Sequence, residues 1–74
     1  MRAWLKERRE HMGKTQEEIA EAAGITRPAY TMIEAGSRNP SVSMARKIGT
    51  VMNLDWTIFF EDQGNDTTQR ETVN

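Results

Sequence analysis

The residues able to do acid–base or covalent chemistry are few and poorly placed for it. His11 is the only histidine, cysteine is absent, and His11 falls on a polar helical face among charges, where a solvated imidazole is expected rather than a general base. The acid pairs Glu17–Glu18 and Glu61–Asp62 are adjacent in the chain, so on a helix their side chains point about 100° apart and form no facing dyad. No Gly-rich phosphate loop or nucleophile motif appears, and no Cys or His pair stands at zinc-ligand spacing. The expectation is a protein that is not an enzyme and holds no metal, no cofactor and no small-molecule substrate. Binding chemistry remains. The stretch GITRPAYTMIEAG, residues 24–36, has a glycine at each end and almost nothing charged along it, and its purpose has to be found in the elements around it.

Five helices are legible and no strand is. The first spans about Arg2 to Met12, with Leu5 and Met12 on one face and Trp4 beside them, and Gly13 ends it. Thr15 and Glu18 stand at capping-box spacing, so a second helix runs from Gln16 to about Ala23 with Ile19, Ala20 and Ala23 inward. Gly24 closes it in the left-handed conformation favoured at that position. Thr26 caps a third helix, about 27–35, with Pro28 in its first turn, where a missing N–H costs nothing; Tyr30 and Ile33 share its inner face and Gly36 stops it. SRNP turns the chain into Ser41, which caps a fourth helix from Val42 to about Met52 with Val42, Ala45, Ile48, Val51 and Met52 inward. Asp55 caps a last short helix, WTIFF. Residues 1–60 then form one domain, and 61–74, with one apolar residue, read as a polar, disordered tail.

A 74-residue chain buries only about 60% of the surface its unfolded form exposes. Without disulfide or metal, association of two copies is the remaining source of added stability. The N-terminal stretch has no apolar run of signal-peptide length, and no segment approaches the roughly 18 apolar residues of a membrane span. A soluble cytoplasmic protein without a membrane partner is expected. The net charge of −1 argues against a nucleic-acid partner at face value. Its distribution argues otherwise: residues 1–50 carry nine Lys/Arg against six acids, and residues 51–74 one Arg against five acids, giving a mildly basic body with an acidic end.

The second and third helices are short and joined through Gly24 with two further residues, which sets them at a steep angle as a helix-turn-helix. Ala20 and Ala23 permit close approach, and Ile25 plugs the corner. Beyond corner geometry, TQEEIAEAAGITRPAYTMIEAGSRNPS resembles the DNA-binding domain of the Cro/C1-type (XRE) family of bacterial and phage repressors. The counterparts are Thr15 to Ala20, Gly24, Thr26 with Arg27, Ile33 with Glu34, Gly36, Arg38, and Pro40 with Ser41, and the likeness covers about residues 3–60. It implies an all-α fold, a compact five-helix lambda-repressor-like domain, and an origin in a bacterium, its phage or a plasmid.

What the resemblance implies about function can be placed residue by residue. The third helix lies in the major groove and presents its first turn to base edges, so Arg27, Pro28 and Met32, with Thr31 beside them, are the expected base contacts. The planar fork of Arg27 can bond guanine O6 and N7 together, worth ~1–3 kcal/mol of discrimination, while Pro28 and Met32 offer apolar contact to thymine methyls. Phosphate contacts are expected from Lys14, Thr15 and Gln16 at the start of the second helix, from Thr26, and from Ser37, Arg38 and Asn39 after the third. Glu34, an acid on a DNA-facing helix, matches a family position that pairs with an arginine of the first helix, here Arg9, as a structural salt bridge. Two positions depart from the family pattern: Arg8, where leucine is common, and Lys14, often apolar. Both are expected to lay their stems over the core with charges outside, docking the first helix less firmly, with Trp4 as compensation.

The apolar cluster Leu54, Trp56, Ile58, Phe59 and Phe60 exceeds what a helix decorating so small a body requires. Part of it, Trp56, Phe59 and Phe60 with Met52, is expected to form an isologous homodimer interface, which would place two reading helices about 34 Å apart over a palindromic duplex site. The expected function is sequence-specific double-stranded DNA binding as a transcriptional regulator, a repressor. The alternative is a protein-interaction module, an antitoxin or co-regulator on the same fold.

Overall fold

The starts of the three central helices in this chain are set by local side-chain caps, and left-handed residues close their far ends. A computed structural model of the chain describes residues 1–61. Its elements are α1 (Ala3–His11), α2 (Gln16–Ala23), α3 (Arg27–Ala35), α4 (Val42–Met52) and α5 (Ile58–Glu61), with no strand among the described residues. The tail expected from residue 61 lies outside the described residues except for Glu61, which ends α5.

The capping box at α2 is complete. The Thr15 hydroxyl accepts from the Glu18 amide at 3.0 Å, and the Glu18 carboxylate accepts from the Thr15 amide at 2.8 Å. Thr26 caps α3 through the Ala29 amide, and Ser41 caps α4 through the Met44 amide. Gly24 and Gly36 both take left-handed conformations, so the chain can bend back and offer the Ile25 amide to the Ala20 carbonyl and the Ser37 amide to the Met32 carbonyl. α2 is thereby held against α3 on one side and α4 on the other, while α1 lies against α3.

The core between them consists of Leu5, Ile19, Ala20, Ala23, Tyr30, Ile33, Ala45, Ile48, Met52 and Phe59. Two expectations need correction. Val42 is half exposed, because the apolar stripe of α4 meets the body only from Ala45 onward. Gly49 takes the next place on that stripe: a Cβ there would lie 2.9 Å from the Leu54 carbonyl oxygen, so the chain leaving α4 passes directly over it. Arg8 is the other departure. Instead of leaving its charge in solvent, its guanidinium donates to the Met52 carbonyl at 3.0 Å and the Asn53 carbonyl at 3.2 Å. These are orphan acceptors at the end of α4, so the residue expected to loosen α1 ties it across the molecule.

Tyr30 is fully buried, with its hydroxyl 4.0 Å from the Met52 sulfur. Burial, reinforced by the nearby Glu34 charge, pushes its phenol well above the usual range. The unfolded chain ionises near 10.0 while the native one does not, so this group leaves stability unchanged below that pH and erodes it above. Stability should fall about 1.4 kcal/mol per pH unit beyond about pH 10. Tyr30 is the only tyrosine, so tyrosinate absorption in an alkaline titration should rise only together with loss of helical dichroism, and Tyr30→Phe should remove its share of the alkaline loss. Ionisation of Tyr30 in the folded protein near its ordinary pKa would contradict this burial.

Candidate nucleic-acid interface

Glu34 is the point from which the candidate surface is built. It sits on the inner side of α3 with 1% of its side chain exposed, and a buried carboxylate requires donors. Arg9 of α1 supplies two nitrogens: Nη2 lies 3.1 Å from Oε2, and Nε lies 3.3 Å from each carboxylate oxygen. Gln16, the first residue of α2, donates its amide nitrogen to Oε1 at 2.7 Å. Arg9 also donates to the Lys14 carbonyl at 2.9 Å, fastening the segment that leads into α2. Burial opposes the charge on Arg9, but its hydrogen bonds to Glu34 and the carboxylate charge outweigh this, and its pKa is raised. The pair expected between Arg9 and Glu34 is therefore present, with Gln16 as an additional donor.

The network continues to the outer side of α3. The Gln16 amide oxygen accepts from the Thr31 hydroxyl at 3.0 Å, so two residues read separately from the sequence, one toward phosphate and one toward bases, are bonded to each other. With Tyr30, Ile33 and Glu34 turned inward, the opposite side of α3 carries Arg27 and Pro28, both exposed, and Met32, 41% exposed; Thr31 is half-buried at its edge. Arg27 also borders an open groove of about 560 Å³ whose lining includes Arg9, Lys14, Thr15 and Gln16. The groove brings the start of α2, where the capping box engages the Thr15 and Glu18 amides and leaves those of Gln16 and Glu17 unpaired, beside the start of α3. Thr15 and Thr26 are exposed, with their hydroxyl oxygens engaged in capping.

At the far end of α3, Ser37, Arg38 and Asn39 are exposed on the connection to α4. This connection is held from beneath by Arg2, a role that no sequence pattern displays. Arg2 is 3% exposed. Its guanidinium donates to the Ile33 carbonyl at 2.6 Å, to Asn39 Oδ1 at 2.7 Å and to the Arg38 carbonyl at 3.3 Å, and it lies 5.8 Å from the Phe59 ring centroid. Asn39 thus contributes its oxygen internally and keeps its amide nitrogen for other partners.

The expected dimer residues divide. Met52 and Phe59 are fully buried and cannot form an interface: Met52 continues the inward stripe of α4 to meet Tyr30, and Phe59 packs edge-on against Trp4 with centroids 5.2 Å apart. Trp56 and Phe60 are half-buried, in edge-to-face contact with each other at 6.0 Å, with Arg46 5.9 Å from the Trp56 ring centroid. No cluster of potential metal ligands and no helix long and apolar enough to cross a membrane occurs among the described residues.

A short helix with a polar start and an apolar outer face, mounted on a second helix through a glycine corner, is the architecture of a DNA-binding helix-turn-helix protein. The chain belongs to the helix-turn-helix family, whose model matches residues 5–59. It is 58% identical over 67 residues to YqaF, an uncharacterized HTH-type transcriptional regulator of Bacillus subtilis strain 168, covering 90% of this chain and 88% of that protein. An uncharacterized HTH-type transcriptional regulator of Archaeoglobus fulgidus is 37% identical over 65 residues, covering 85% of this chain and 93% of that one. Another, from Methanothermobacter thermautotrophicus, is 38% identical over 55 residues, covering 74% and 80%. No solved structure shows a significant match.

Removing the central carboxylate should release all three helices together. Glu34→Ala leaves Arg9 and Gln16 without their acceptor and should cost ~3–5 kcal/mol, the range for breaking one side of a buried ion pair. Urea denaturation measures it, and a loss below about 1 kcal/mol, the scale of an exposed pair, would show that the network does not hold the helices.

Proposed function

We propose that this DNA-binding transcriptional regulator is a repressor that binds a palindromic duplex site as a homodimer, with α3 in the major groove. The observation that carries the reading is the division of α3: Tyr30, Ile33 and Glu34 are buried, while Arg27, Pro28 and Met32 face outward. An outward face with one guanidinium and two apolar side chains suits base edges, since Arg27 can bond guanine bidentately while Pro28 and Met32 meet thymine methyls. Lys14 and the free amides at the start of α2 bind phosphate on one side of that face, and Ser37, Arg38 and Asn39 on the other. Trp56 and Phe60 form the two-fold contact, which sets the reading helices one turn of duplex apart.

Selecting bound duplexes from a random pool tests the reading directly, with a palindrome containing a guanine in each half-site as the expected product. Arg27→Ala should relax selection at that guanine by ~1–3 kcal/mol. Arg38→Ala should weaken binding to all duplexes alike and reduce the salt slope by about one phosphate equivalent. Sedimentation at micromolar concentration should show a dimer that Trp56→Ala dissociates. Failure to enrich any duplex, with binding insensitive to salt, would favour a protein-interaction module instead.

A further inference from the structure

The chain of hydrogen bonds running outward from Glu34 has a fixed direction, and that direction determines what Thr31 can recognise. An ionised carboxylate only accepts. Glu34, paired with Arg9, therefore requires the NH2 end of the Gln16 amide, which approaches to 2.7 Å. The amide is planar, so with its nitrogen committed inward its oxygen faces Thr31, 3.0 Å away. An amide oxygen also only accepts, so the proton of this bond is the Thr31 hydroxyl's own.

We infer that Thr31 is a specificity-determining residue that acts on DNA as a hydrogen-bond acceptor, selecting adenine or cytosine on the strand it faces. With its proton held by Gln16, the hydroxyl offers only lone pairs outward. It cannot bond a phosphate oxygen, guanine O6 or thymine O4, all of which are acceptors. The major-groove groups it can bond are the exocyclic amines, N6 of adenine and N4 of cytosine. A threonine free to rotate accepts either class of base; here the buried ion pair sets its polarity through one intervening amide. Glu34 and Gln16 are positioning residues in this respect, since they shape the base preference through Thr31. The inference rests on α3 lying in the major groove, as proposed above.

The experiment is the same selection from a randomised duplex pool, performed with the wild type, Thr31→Val and Glu34→Gln. The wild type should enrich adenine or cytosine at one position per half-site. Thr31→Val keeps the shape and removes the acceptor, so that preference should fall about fivefold, the contribution of a single hydrogen bond, or pass to thymine, with the remaining positions unchanged. Glu34→Gln no longer dictates which end of the Gln16 amide faces inward, so guanine and thymine should become tolerated at the same position, a change in selectivity that a loss of stability alone does not produce. A Thr31→Val selection identical to the wild type's, or a wild-type preference for guanine or thymine at the position Thr31→Val alters, overturns the assignment while leaving DNA binding intact. A wild type that enriches nothing removes the groove reading itself, and this inference with it.

Discussion

A carboxylate with 1% of its side chain in solvent must be answered by donors, and at Glu34 they come from the two other helices that form the candidate surface. Arg9 arrives from α1 and Gln16 from α2. The acid lies on α3, so all three helices meet at one charge. Hydrophobic contact among Leu5, Ile19, Ala20, Tyr30 and Ile33 holds these elements together, but it is non-directional and tolerates small rotations of one helix over another. The ion pair does not, because a guanidinium and a carboxylate bond well in only a narrow range of orientations. Its contribution is to the orientation of α3 more than to net stability.

The helix ends were legible in the sequence because capping is local. Thr15 with Glu18, Thr26 before Pro28, and Ser41 after Pro40 each satisfy backbone amides within three residues, and the observed boundaries of α2, α3 and α4 follow them. The place of Glu34 opposite Arg9 was legible only through family likeness, since the two are 25 positions apart. Arg2 and Arg8 were not legible as structural groups. They donate to carbonyls 31 to 45 positions away, and backbone carbonyls carry no residue identity for a sequence pattern to display.

The division of the apolar C-terminal cluster is hidden in the sequence for a different reason. Assigning faces requires a helix long enough for its period to repeat, and α5 has four residues, barely one turn. Phe59 and Phe60 are equivalent by composition, yet one is fully buried under Trp4 and the other half exposed beside Trp56. The connection leading to them passes so close over Gly49 that even a methyl group there would collide with the Leu54 carbonyl, a path that composition does not display. Periodicity assigned Val42 to the core stripe on the same incomplete grounds, because it specifies a face of a helix and not how far along that face the neighbouring elements extend.

The same three arginines explain how a body with excess positive charge can present so modest a cationic surface. Arg2, Arg8 and Arg9 are consumed internally, on carbonyls and on Glu34. Around the outer face of α3 the exposed cationic side chains are Lys14, Arg27 and Arg38, and Glu10 and Glu17 line the groove that Lys14 and Arg27 border. Few phosphates can be neutralised by so few charges, which limits the sequence-independent part of DNA affinity. Under the proposed reading, discrimination then rests on a helix whose outer residues are largely uncharged and whose orientation is held by an ion pair. Close fit to base edges is sensitive to small displacements in a way that phosphate attraction is not. The internal use of Arg9 and the sparse charge of the surface are therefore linked: the less a domain relies on bulk electrostatics, the more accurately its reading helix has to be mounted.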